Sequence, residues 1–101
     1  MTRLALLFAL ASTVAAAQDD PLEMGRSIAE QWCAACHIAT PDQTTAPDVA
    51  PSFMAIANDR QITAEALRGW IASPHPPMPD PGLSRTQIAD VARWIESLRT
   101  D

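Results

Sequence analysis

Both cysteines of this chain and one of its two histidines fall within six residues, Trp32 to His37, reading WCAACH. Thiols three positions apart with an imidazole directly behind the second suit three chemistries: a dithiol redox couple, a zinc site, or covalent attachment of a haem. On one helical turn, positions i, i+3 and i+4 share a side, so Cys33, Cys36 and His37 would face a common region. Two thiols so placed can add to the two vinyl groups of a haem while the imidazole reaches the iron, which is how C-x-x-C-H is read.

The rest of the chain chooses among the three. A Trp before Cys-x-x-Cys also occurs in thioredoxin-like sites, but that framework needs a strand before the motif, and here a capped helix pattern precedes it. Zinc would have to recruit Cys33, Cys36, His37 and His75. Adjacent Cys36 and His37 make awkward tetrahedral partners, and the spacing fits no usual zinc pattern. Haem attachment uses every cysteine present and is the reading adopted.

A haem iron that moves electrons without binding gases needs a second axial ligand. A thioether holds iron weakly, favours the reduced ion and raises the potential, so the protein must present it in position. Met78 lies in PHPPMPDPGL, five prolines in ten residues, where Pro76, Pro77, Pro79 and Pro81 remove most of the loop's freedom beforehand. Methionines also fill gaps in cores, and that is the reading preferred for Met54, at helical spacing beside Phe53 and Ile56. His75 is the other competitor; a bis-histidine site would lower the potential.

Helices must carry these residues. Asp20, Pro21 and Glu23 resemble a capping box at the head of DPLEMGRSIAEQWCAACH, and Leu22, Gly25, Ile28, Ala29, Trp32 and Cys36 follow at helical spacing. The helix they predict runs into the cysteine motif. Residues 38 to 51 have loop composition; SFMAIAN predicts a short helix; TAEALRGWIAS, capped by Thr63, predicts another that stops before Pro74. Ser84 with Gln87 forms a second box, ahead of a stripe of Ile88, Val91, Ile95 and Leu98 with Trp94 beside it. The fold class expected is all-α, three to four helices, with no strand.

At 101 residues there is room for one domain. Residues 1 to 17 read as a cleaved secretory signal peptide, with Arg3, an apolar run from Leu4 to Ala11, and Ala15-Ala16-Ala17 before Gln18. A retained anchor is the alternative, but the run is shorter than the roughly 18 to 20 apolar residues that span a bilayer. The domain expected is residues 18 to 101. It is small for a self-sufficient core, and its cysteines are too close together to staple a loop. Without Arg3 the domain has six arginines against twelve acids, a formal charge of −6, and no lysine. That argues against nucleic acid as a partner, since phosphate binding needs a basic face.

Taken in order, GRSIAEQWCAACH, APSF, LRGWIASPHPPMP and IADVARWIESL resemble the class I c-type cytochromes, over essentially all of residues 21 to 101. The resemblance implies a cytochrome c fold around one covalently attached haem c, held through Cys33 and Cys36, with His37 and Met78 as iron ligands. It implies that the Pro51 carbonyl accepts the other N–H of His37, although an ordinary turn proline would read the same. It implies a pocket role for Trp70, for which a core role is an equal reading, and a close helix crossing at Gly25 and Trp94. Two positions depart from the family pattern: Ala29 stands where an aromatic is usual, and Ala50 precedes Pro51 in place of glycine. Trp32 is expected to replace the missing aromatic bulk. The implied function is one-electron transfer in the periplasm between redox proteins, a dehydrogenase donor and an oxidase or reductase acceptor. No acid–base constellation of an enzyme is visible and no membrane span remains after signal cleavage. The alternative is a haem subunit held permanently by a dehydrogenase or oxidase.

Overall fold

A computed structural model of the protein describes residues 20–73 and 77–100, together with Ala5. The expected signal peptide over residues 1 to 17 and the competing ligand His75 lie outside the described residues. Four helices form, α1 (Pro21–Trp32), α2 (Phe53–Asn58), α3 (Ala64–Ala72) and α4 (Arg85–Ser97), and there is no strand among the described residues.

Each helix starts at a side chain that satisfies an otherwise unpaired N–H. Asp20 accepts from the Leu22 N–H, Ser52 from Ala55, and Thr63 from Ala66. At α4 both arms of the capping box are made, Ser84 Oγ from the Gln87 N–H at 3.1 Å and Gln87 Oε1 from the Ser84 N–H at 2.8 Å. α3 ends at Ala72, and its C-cap Ser73 is already extended, as proline's bar on a preceding helical residue requires.

α4 is the hub: it packs on α1, α2 and α3, while those three do not pack on one another. The closest approach is at Gly25 of α1. A Cβ there would meet the backbone of Asp90, with its carbonyl carbon at 2.7 Å, and the Trp94 Cβ at 2.9 Å. Only glycine lets the two backbones come this near. Val91, Ala92, Trp94 and Ile95 of α4 are buried at the crossing's side of the core along with Ile28 and Ala29 of α1.

This polypeptide core is thin. Of the twelve buried hydrophobic residues among those described, four are alanines, Ala29, Ala39, Ala57 and Ala92, and Val91 is the largest fully buried side chain among them. Burying a Val or Leu side chain contributes about 1.5–3 kcal/mol, and alanines far less, so the side chains alone supply little of the stabilisation a domain of this size needs.

Two expectations need correction. Trp32 is 55% exposed and does not supply the aromatic bulk absent at Ala29. The helices are so close at Gly25 that Ala29, one turn on, is itself wholly buried, while Trp32 stands at the end of α1, past the crossing. Trp70 is 48% exposed, which removes its reading as a core residue.

Candidate functional site

The cysteine motif follows directly on α1. The Ala29 carbonyl accepts from both the Cys33 N–H (2.9 Å) and the Ala34 N–H (3.0 Å), so the last turn of the helix widens. The Cys33 carbonyl then accepts from Cys36 (3.1 Å) and His37 (2.9 Å). Although regular α1 stops at Trp32, these bonds keep residues 33 to 37 in one further turn, and Cys33, Cys36 and His37 remain neighbours, as their spacing predicts.

His37 is held from outside the motif. Its Nδ1 lies 2.6 Å from the Pro51 carbonyl oxygen. A carbonyl can only accept, so Nδ1 carries a proton, and in the neutral imidazole that leaves the lone pair on Nε2, the tautomer that binds a metal. The Phe53 ring sits against the imidazole, centroids 5.1 Å apart and planes tilted by 47°, and the Phe53 N–H donates to the Ile38 carbonyl at 2.9 Å. Pro51 therefore makes the contact that the family resemblance implies.

No disulfide joins the two cysteines, of which Cys33 is partly buried and Cys36 exposed. Burial pushes the Cys33 thiol up to about 11. A reactive dithiol needs the opposite shift, toward thiolate. An uncharged thioether suits the position, because alkylated sulfur has no charge to desolvate. Among the described residues no cluster of three or more His, Cys, Asp or Glu forms a metal site by itself. The donor set and its surroundings thus fit a covalently attached haem: two neighbouring thiols, one of them in an apolar setting, and a ring nitrogen fixed as an acceptor.

Met78 lies half-buried on the segment between α3 and α4, and residues 77–83 form no helix. Behind it the chain turns through Gly82, whose φ of 66° is left-handed, with the Gly82 N–H bonded to Asp80 Oδ1 at 2.8 Å. Met54 is different, since it packs against the hydrophobic core as a gap-filling methionine does. Met78 is not part of that packed set among the described residues. The structure brings Cys33, Cys36, His37 and Pro51 together, and no hydrogen bond joins Met78 to them.

Contacts that sequence reasoning passed over secure the loop after the motif. The Gln43 carboxamide accepts from the Ala39 N–H at 2.9 Å and faces the carbonyls of His37 (2.8 Å), Ala34 (3.1 Å) and Thr45 (3.1 Å). Trp94 Nε1 donates to the Ala39 carbonyl at 2.8 Å, so this residue ties α4 to the loop as well as packing at the crossing. Arg26 bonds Glu30 at 2.8 Å and Asp42 at 2.9 Å while its guanidinium lies 5.5 Å from the Trp94 ring centre. The Asp42 carboxyl is held below the usual range by the Thr40 hydroxyl, by a backbone hydrogen bond and by Arg26. No sequence signal marks Gln43; a lone amide in a polar loop is ordinary.

A groove of about 510 Å³ between α2, α3 and the end of α4 is lined by Ile56, Ala57, Leu67 and Glu96 among others. It does not touch the cysteine motif or Met78 and gathers no reactive group. No helix among the described residues is long and apolar enough to cross a membrane.

No family model matches the chain, and no solved structure does. Among curated proteins, cytochrome c-552 of Bradyrhizobium diazoefficiens is 37% identical over 94 residues, which cover 93% of this chain and 90% of that relative.

Proposed function

The chain belongs to the small c-type cytochromes, and on that premise we propose that it is a periplasmic carrier of single electrons, its haem held by Cys33, Cys36, His37 and Met78. Membership brings an all-α cytochrome c fold, covalently bound haem c with its iron, and a role in electron transfer. The finer reading concerns which residues of this chain do what.

Haem c supplies a one-electron iron couple. Cys33 and Cys36 anchor its edge through thioethers, which suits the burial of Cys33. His37 presents Nε2 because Pro51 keeps the proton on Nδ1, and this 2.6 Å bond is the observation that carries the proposal. A hydrogen-bonded Nδ1–H also makes the imidazole a more basic ligand. Met78 would be the second protein ligand to the iron, on a segment stiffened by Pro77, Pro79 and Pro81 and turned by Gly82. With His37 and Met78 both holding the iron, a bound haem would keep no position for a substrate, which supports a carrier and not an enzyme.

Export to the periplasm rests on the leader over residues 1 to 17, whose removal leaves residues 18 to 101. Partners are redox proteins, a dehydrogenase as donor and an oxidase or reductase as acceptor. The charge of −6 on that segment favours a partner with a basic docking face. Stopped-flow mixing of the reduced protein with candidate oxidants tests the carrier role. A second-order rate that falls as salt rises is the expected result. Opposite-charge steering contributes about 10 to 1,000-fold to association and is screened beyond about 8 Å at physiological salt. First-order transfer inside a complex that survives gel filtration would replace the carrier with a permanently bound subunit.

A further inference from the structure

We infer that Gln43 is a positioning residue for the imidazole of His37: its carboxamide fixes the peptide on which the ring bonded to Pro51 is mounted. The inference rests on His37 being the haem ligand.

The amide orientation follows from its partners. Ala39 offers an N–H, which needs an acceptor, so Oε1 faces it; the carbonyls of Ala34, His37 and Thr45 need donors, so Nε2 faces them. Two amide hydrogens serve three carbonyls, and the shortest of the three contacts, 2.8 Å, is to His37 itself. One half-buried side chain thereby gathers the backbone from 34 to 45 around the ligand.

The opposite side of the same backbone is held as well. The Phe53 N–H takes the Ile38 carbonyl at 2.9 Å, and the Pro51 carbonyl takes His37 Nδ1 at 2.6 Å. The peptide joining Ile38 to Ala39 is therefore clamped by Phe53 at its carbonyl and by Gln43 at its N–H, and Gln43 also holds the carbonyl of the peptide joining His37 to Ile38. Releasing the Gln43 flank frees that peptide to rotate, and the short bond to Pro51, which depends on both distance and angle, weakens first. An imidazole with a weaker Nδ1–H bond is a poorer donor to oxidised iron, so the potential rises. If Gln43 only closes a loop, its loss lowers stability and leaves the ring as it was.

The test compares the holoprotein with Gln43→Met, which keeps the length of the side chain and removes its amide, and with Asn58→Ala as a control for lost stability. Asn58 bonds Met54 and Thr100 and no atom of the Gln43 network. Two quantities are read in each: hydrogen exchange of the His37 Nδ1 proton by NMR in the reduced state, and the midpoint potential. Gln43→Met should speed exchange about tenfold, the size expected for one net hydrogen bond, and raise the potential. Asn58→Ala should do neither. Should Gln43→Met fail to fold, Gln43→Glu keeps the acceptor for Ala39, loses the donors, and carries the same expectation for exchange. Exchange and potential equal to the parent's in a folded Gln43 variant of lowered stability would overturn the inference. Absence of a haem-shifted His37 ring signal in the parent would instead overturn the ligand assignment, and the inference with it.

Discussion

Replacing Gly25 by alanine pits two effects of opposite sign against each other. Inside an exposed helix, alanine is favoured over glycine by about 1 kcal/mol. At this position the new Cβ would lie 2.7 Å from the Asp90 carbonyl carbon and 2.9 Å from the Trp94 Cβ, and would meet the Asp90 carbonyl oxygen as well. Carbon atoms prefer about 3.5–4.0 Å, so α1 and α4 must separate by something close to an ångström. The main obstacle is backbone, which cannot rotate aside, and this places the cost at the upper end of the range of about 1–3 kcal/mol for overpacking. The net is a destabilisation of about 2 kcal/mol, or a fall in Tm of roughly 8–16 °C for a domain of this size. Gly69, in the interior of α3, has nothing within 4 Å of an added Cβ, and Gly69→Ala should rise by a few degrees. Thermal unfolding of both holoproteins by circular dichroism, with unchanged visible spectra, provides the comparison. Gly25→Ala melting at or above the parent would refute the close crossing.

Cys33→Ala, Cys36→Ala should release its haem into acid-acetone while the parent retains it. Met78→Ala should lower the potential, abolish the weak near-infrared sulfur-to-iron band and open the iron to carbon monoxide; loss of the band in Met54→Ala, with Met78→Ala unchanged, would move the ligand to Met54. Gly82→Ala places a side chain at a φ of 66° and should cost about 1–2 kcal/mol in thermal unfolding, loosening the segment that carries Met78.

The helices were legible because their caps and apolar spacings are local: Asp20, Thr63 and Ser84 each begin a helix within the reach of one turn. The neighbourhood of Cys33, Cys36 and His37 was legible for the same reason, since one turn of backbone holds all three. Contacts across long separations were not. Trp94 reads as apolar bulk in a stripe, and its N–H finds Ala39 only because α4 folds back across the post-motif loop. Gln43 matters through backbone carbonyls, which every residue has and no composition reveals. Trp32 and Leu22 share helical periodicity with Gly25 and Ile28, yet both are exposed. Periodicity tells which residues share a face, and the extent of the neighbouring helix decides how much of that face is covered. The bond from His37 to Pro51 was legible only by resemblance, because fourteen residues separate them.

The most direct test of the central claim is mass spectrometry of the peptide from Ser27 to Arg60, produced by cleavage after Arg26 and Arg60 of the purified protein. The account predicts this peptide at its own mass plus one haem, attached at Cys33 and Cys36 and surviving acid. The unmodified peptide with two free thiols, or a disulfide between them, would contradict it.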